Sequence, residues 1–265
     1  MLEITRFEAR RRARGTVYLS ASLLAFAWLI IGLFPSFRES GVDFEAYIES
    51  FPPEVQRAFL GEVTNFTRLE GFLAVELYQW LWLLVLGVYF AYVAAGLIAG
   101  EVERGSIDLL QVNPVSRTRV VVGKFASLVP VITAVNVLTL VGTYVAVGFI
   151  GEDLDLVNLV LLHGLSVVYL AACASLGVLA SVVFDTVRRA QALAGGGVFA
   201  MFLLDTITLD TDYEWIGDPA FSRYFEPTAI LVNGDVDWGG IAVLLVAIAV
   251  LVMVAAEYYE RRDLT

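Results

Sequence analysis

The chain has 265 residues, 58% of them hydrophobic, and a mean hydropathy of +0.76. A soluble domain of this size needs polar surface over roughly half its residues, and the uninterrupted apolar runs here argue against one. The formal charge of −11 leaves no exposed basic stripe outside the membrane for nucleic acid, so no nucleic-acid partner is expected.

Crossing a bilayer core takes roughly 20 apolar residues of helix. Six stretches qualify, at about 16–34, 73–99, 125–150, 156–183, 192–209 and 239–256. With no water in lipid to satisfy a free backbone, such runs are helical. The predicted fold is an all-α integral membrane protein, one domain over residues 1–265 with six transmembrane helices and a cytoplasmic amphipathic N-terminal helix.

In residues 1–15, Leu2, Ile4 and Phe7 are interleaved with Arg6, Arg10, Arg11, Arg12 and Arg14. This pattern suits a helix lying in an anionic headgroup layer. The first apolar run is a retained span rather than a signal peptide, because Ala25-Phe26-Ala27 lies in its middle and not at its end. After it, Asp43 can cap a helix whose Phe44, Tyr47, Ile48 and Phe51 fall on one face. Pro52 and Pro53 break that helix, and Val55, Ala58 and Phe59 begin a second that Gly61 can end. Two short helices capping the bundle are expected there. Asn65-Phe66-Thr67 matches a glycosylation acceptor on the same side.

The second span opens near Glu76, a weak candidate for lining a pore, and carries Trp80 and Trp82, which read as interfacial aromatics like Trp238, Tyr258 and Tyr259. Gly96 and Gly100 allow a close helix approach, as do Gly195, Gly196 and Gly197 in the fifth. Between the second and third spans, Ser106 is a sound N-cap and Ile107 to Val112 gives under two helical turns. Asn113-Pro114 stops that helix, and Ser116 can cap the next, which runs through Gly123 and Lys124 into the membrane. The product is a short helix parallel to the membrane, able to dock into a partner's groove and pass motion to both spans. Leu109 and Leu110, with Ile107 beside them, are its apolar anchors, and Glu101 and Glu103 offer charges to a basic rim.

No Gly-x-x-x-x-Gly-Lys-Ser/Thr occurs; Gly123-Lys124 lacks both the leading glycine and the following hydroxyl. Energy must therefore come from another polypeptide, and no catalytic residue is assigned. His163 is the single histidine, so two-histidine metal or haem ligation within one chain is ruled out, and a hydrogen-bonded structural role is expected. The lone Cys173 is read as packing. Asp205 lies in the outer third of the fifth span, where a mid-membrane charge costs roughly 2.5–3.5 kcal/mol; it is the stronger pore-lining candidate. Beyond it, Asp218-Pro219 reads as a helix start, Pro227 as a break and Asn233-Gly234 as a turn.

Orientation follows from the bases. With both termini cytoplasmic, thirteen of the seventeen basic residues face the cytoplasm beside nine acids, and four face outward beside nineteen.

The stretch from Ala99 to Arg117, with Ala-Gly-Glu, a second acid at Glu103, Gly105-Ser106, Leu109-Leu110, Pro114, Ser116-Arg117 and then Lys124, resembles the coupling segment of type-two ABC exporter permeases. Glu226-Pro227 through Gly234 and the tail Glu260-Arg261-Arg262-Asp263-Leu264 are similar to further family patterns. Ser106 stands where threonine is commoner, and Gln111-Val112 where a more apolar pair is. The resemblance implies a multi-pass permease subunit of the plasma membrane, paired with a second copy or a sister subunit. It implies ATPase subunits beneath that hold ATP and magnesium, with no cofactor on this chain. It also assigns coupling to Glu101, Glu103, Gly105, Ser106, Ile107, Asp108, Leu109, Leu110, Pro114, Ser116, Arg117 and Lys124. The alternatives are an ion-coupled secondary carrier, which would want paired intramembrane charges or broken half-helices, and a non-transporting scaffold.

Overall fold

The computed structural model describes residues 2–40, 51, 68–105, 116–209 and 211–262, with side chains described from residue 12 onward. Six helices are long and apolar enough to cross a membrane. They are α1 (Leu2–Glu39), α2 (Leu69–Glu103), α3 (Arg117–Phe149), α4 (Leu156–Val183), α5 (Val187–Thr208) and α6 (Trp238–Arg261). No strand occurs among the described residues. The two outer-surface helices expected between residues 43 and 61, and Asn65, lie outside the described residues.

All six predicted spans are present, and several run further than their apolar stretches. Helix α3 starts at Arg117 instead of near 125, α5 at Val187 instead of near 192, and α6 ends at Arg261 instead of near 256. Hydropathy stops at the first charge, but the helix does not. Arginine and lysine are good helix formers whose long stems lie along apolar surface while the charged head reaches out. Helix α1 goes furthest. Its 38 residues make a rod of about 57 Å, and no break at Gly15 separates the arginine-rich start from the first span.

The bundle packs around α4. In its most apolar window 67% of residues are buried, against 28% in α1 and α5, which face outward over most of their surface. Ser20, Leu23, Ala27, Ile31 and Phe34 form one buried seam on α1, while Val17, Tyr18, Leu29 and Leu33 are exposed. The spacing of three and four residues is one face of a helix. Against it stands α3, and Trp28 Nε1 of α1 donates to Gly142 O at 3.1 Å. Between α2 and α4 the backbones touch: a Cβ on Gly177 would lie 2.2 Å from the carbonyl oxygen of Ala91, so only glycine fits.

Helix α2 changes pitch along its length. Residues Ala74–Leu86 are π-helical, between α-helical Leu69–Leu73 and Gly87–Glu103. Such wide turns concentrate at functional sites. Tyr169 on α4 donates its hydroxyl to Leu83 O at 2.7 Å within this stretch. Trp82, expected at an interface, is fully buried, its ring edge-on to His163 at 5.0 Å. It lies well inside α2, so the true start of that helix moves it from the rim to the core. Trp238 opens α6 in the exposed position expected of it.

Six alternating spans bring Leu2 and Arg262 to the same end, with residues 103–105, 116–119 and 183–188; this is the basic end. At the far end, Asp155 caps α4 by accepting from Val157 N (2.7 Å) and Asn158 N (3.1 Å). Short 3-10 turns at Glu214–Gly217 and Phe221–Tyr224 lead toward α6. Asp218-Pro219 does not start a helix; it follows the first of these turns. Pro227 opens a helical turn instead of breaking one, because the first helical position needs no N–H. That turn closes after Asn233 at Gly234, whose φ of +75° gives the expected reversal.

Candidate coupling site at the basic end

The two roots of the loop between α2 and α3 are joined by a buried ion pair. Lys124 Nζ lies 2.5 Å from Glu101 Oε1, with side-chain exposures of 4% and 17%. Two residues further along α2, Glu103 Oε2 accepts from the backbone N–H of Val187 at 3.0 Å. Val187 is the first residue of α5, whose N-cap Thr186 supplies no side-chain hydrogen bond. A carboxylate at a helix N-terminus meets unsatisfied donors and the positive end of the helix dipole. Helix α2 then ends, and Gly105 takes φ +65° as the chain leaves it, a left-handed stop that favours glycine.

Where the chain returns, Ser116 caps α3 as expected, its hydroxyl accepting from Arg119 N at 3.4 Å. Arg117 Nη1 donates to the carbonyls of Tyr259 (3.2 Å) and Arg262 (2.5 Å) at the end of α6. Its guanidinium also lies 5.7 Å from the centre of the Tyr259 ring. Helix C-termini are short of donors, and a cation there is favoured. Thr118 Oγ1 donates to Glu260 Oε1 at 2.5 Å. Arg262 continues the chain of contacts, donating to Val182 O at 2.5 Å at the end of α4 and pairing with Asp185.

Of the residues singled out in sequence, Glu101, Glu103, Ser116, Arg117 and Lys124 thus gather at one end, with Gly105 at the exit of α2. Glu101 and Glu103, expected to offer charges to a partner's basic rim, are turned onto the chain's own helices. Ser106, Ile107, Asp108, Leu109, Leu110 and Pro114 lie outside the described residues. The tail arginine Arg262 and its partner Asp185 were not assigned to this site from sequence.

A sequence model of the family described as ABC-2 family transporter protein matches residues 3–264. The chain belongs to that family. The expectation drawn from residues 99–117, 226–234 and 260–264 holds at the level of the family, which makes the chain a membrane permease of ABC-2 type. Among curated proteins, none matches the chain.

Elsewhere in this ABC-2 permease, Asp205 is held by two partners. Ser222 Oγ donates to its Oδ2 at 2.6 Å and Arg223 Nε to its Oδ1 at 2.9 Å. Arg223 also reaches Asp218 at 2.8 Å. Burial opposes the Arg223 charge, but the Asp205 and Asp218 carboxylates outweigh it and hold the guanidinium above its ordinary pKa. Asp205 borders a cavity of about 160 Å³ with Gln79, Thr206, Glu226 and Thr228. Glu76, one turn earlier on α2, does not line it.

His163 sits in a polar cluster between α2, α3 and α4, among apolar surroundings. Its Nδ1 is 3.2 Å from Asn136 Oδ1, and its Nε2 is 3.0 Å from the Tyr78 hydroxyl. Asn136 Nδ2 donates to Ile132 O at 3.0 Å, which fixes the amide and turns Oδ1 toward Ser166 and His163. Nδ1 therefore donates to Asn136 Oδ1, and Nε2 shares a hydrogen bond with the Tyr78 hydroxyl. His163 is hydrogen-bonded as expected from sequence, and Cys173 is buried outside any disulfide.

Proposed function

We propose that the chain is the membrane-spanning subunit of an ATP-driven exporter of the plasma membrane, working by alternating access. ATP and magnesium are held on a separate cytoplasmic ATPase, and two permease subunits pair to complete the path. Family membership supports the permease role, and the lack of a phosphate-cradling loop in the sequence supports a separate ATPase. The distribution of arginines supports a cytoplasmic basic end.

The observation that carries the reading is the Glu101–Lys124 pair. It binds the roots of α2 and α3 together, so a push on the loop between them moves both helices as one body. A loop on two independent roots would flex and dissipate that push. The spans are aliphatic and aromatic, without a charged cage, which favours a hydrophobic or amphiphilic cargo. Asp205 and its cavity are the proposed outer lining of the path.

The test is Leu110→Asp. A charge placed in an apolar docking groove costs several kcal/mol unless paired. The variant is expected to insert into the membrane normally, because residue 110 lies in the connection and not in a span. It is expected to lose the co-purifying ATPase, or to leave ATP turnover that cargo no longer stimulates. Full partner binding with full transport would remove the loop from the coupling role.

A further inference from the structure

The loop between α2 and α3 is strung on those two helices alone, yet the side chains at its edges reach the other half of the bundle. We propose that Glu103 and Arg117 are positioning residues that hand movement of this loop to α5 and α6, so that one docking event displaces four spans instead of two. The proposal rests on the reading of the loop as the element that engages an ATPase.

Glu103 is in the last turn of α2, two residues before the left-handed Gly105. Its carboxylate accepts from the first backbone N–H of α5, a donor that Thr186 leaves without a side-chain cap. Moving Glu103 away would cost α5 its only side-chain cap at Val187 and a carboxylate at the positive end of its dipole, so α5 follows α2. The two helices are close enough for this because small residues line their contact. A Cβ on Gly100 would lie 3.4 Å from Val187 Cγ2, and one on Gly96 3.4 Å from Gln191 Nε2.

Arg117 does the same on the other side of the loop. It is the first residue of α3, and one nitrogen holds two carbonyls at the end of α6 while the guanidinium covers the Tyr259 ring. Arginine's planar fork loses little freedom in making several bonds at once. The contacts then close into a ring around the basic end. Helix α2 joins α5 through Glu103. The connection leading into α5 is tied to the residue that follows α6 through Asp185 and Arg262. Helix α6 joins α3 through Arg117, and α3 returns to α2 through Lys124 and Glu101. A ring of this kind transmits displacement and resists separation of its members.

The test uses the permease–ATPase complex in a Cys173→Ala background, with nitroxide pairs sharing Phe149→Cys at the far end. The second label is Tyr92→Cys on α2, Leu193→Cys on α5 or Met253→Cys on α6, all exposed positions. In the parent complex, ATP is expected to shift all three distances. In Glu103→Ala the α2 distance should still shift while the α5 shift shrinks to what the route through Arg262 and Asp185 carries. Glu103→Gln should restore the full shift, because the amide oxygen accepts from the same N–H. Arg117→Ala should shrink the α6 shift in the same selective way. An α5 distance that responds to ATP in Glu103→Ala as in the parent overturns the transmission role and leaves the ATPase reading standing. A parent complex in which no distance responds to ATP overturns both, a failure separate from the first.

Discussion

At the basic end, the polar contacts join parts of the chain that are far apart in sequence. Arg117 reaches the end of α6, Glu103 the start of α5, and Arg262 the end of α4. At the far end, Arg223 pairs with Asp205, Asp218 and Glu214, all within one stretch of chain. A longer-range pair there, Arg38 with Glu152, leaves Arg38 half exposed. The same chemistry therefore serves different mechanics. Contacts between distant helices tie four helix ends together at the basic end, whereas at the far end the most connected arginine, Arg223, holds partners from its own stretch of chain.

Three experiments break or sharpen this contrast. The largest effect is all-or-none. In a Cys173→Ala background, Tyr213→Cys at the far end should react with an impermeant thiol reagent in intact cells, and Arg188→Cys at the basic end should not. The reverse pattern would place the fused end outside and exclude a cytoplasmic partner from it.

Next in size is Lys124→Met. It removes the lysine partner of a largely buried carboxylate, and losing one member of such a pair costs up to about 3–5 kcal/mol. The low end is expected, since Glu101 keeps some contact with solvent. Thermal unfolding in lipid nanodiscs measures this, and the double variant Glu101→Gln, Lys124→Met should recover most of the loss. Equal destabilisation in the single and double variants would show that the pair does not couple the roots.

The smallest effect is at the far end. Arg38→Ala removes a pair with one half-exposed member and should change stability by about 1 kcal/mol or less, less still in high salt. A loss comparable to Lys124→Met would erase the difference between the ends.

Much of this was legible in the sequence where the cause is local. Six apolar runs became six spans because hydropathy and helix length suffice for that. Ser116 and Asn233-Gly234 were legible because a cap and a turn involve only neighbouring residues. What was missed depends on pairs brought together by packing. Nothing around Asp205 announces Arg223 as its partner, and Asp210 and Asp212 are nearer in sequence. Glu103 reads as a free surface charge until α5 is laid beside α2. The π-helical stretch of α2 left no mark either, since it is seen together with contacts from Tyr169, far along the chain.

The cluster of Tyr78, Asn136, Ser166 and His163 has a consequence for how the protein is made. Asn136 and His163 are costly to expose singly to hydrocarbon. They stand on consecutive helices joined only by residues 150–155, so α3 and α4 can leave the insertion machinery as a hairpin with their amide, hydroxyl and imidazole already joined. Tyr78 is by then in the membrane on α2, ready to hydrogen-bond the remaining ring nitrogen. Biogenesis in chain order thus delivers each buried polar group to a waiting partner, and the assembled trio of helices becomes the template on which α5 and α6 are laid.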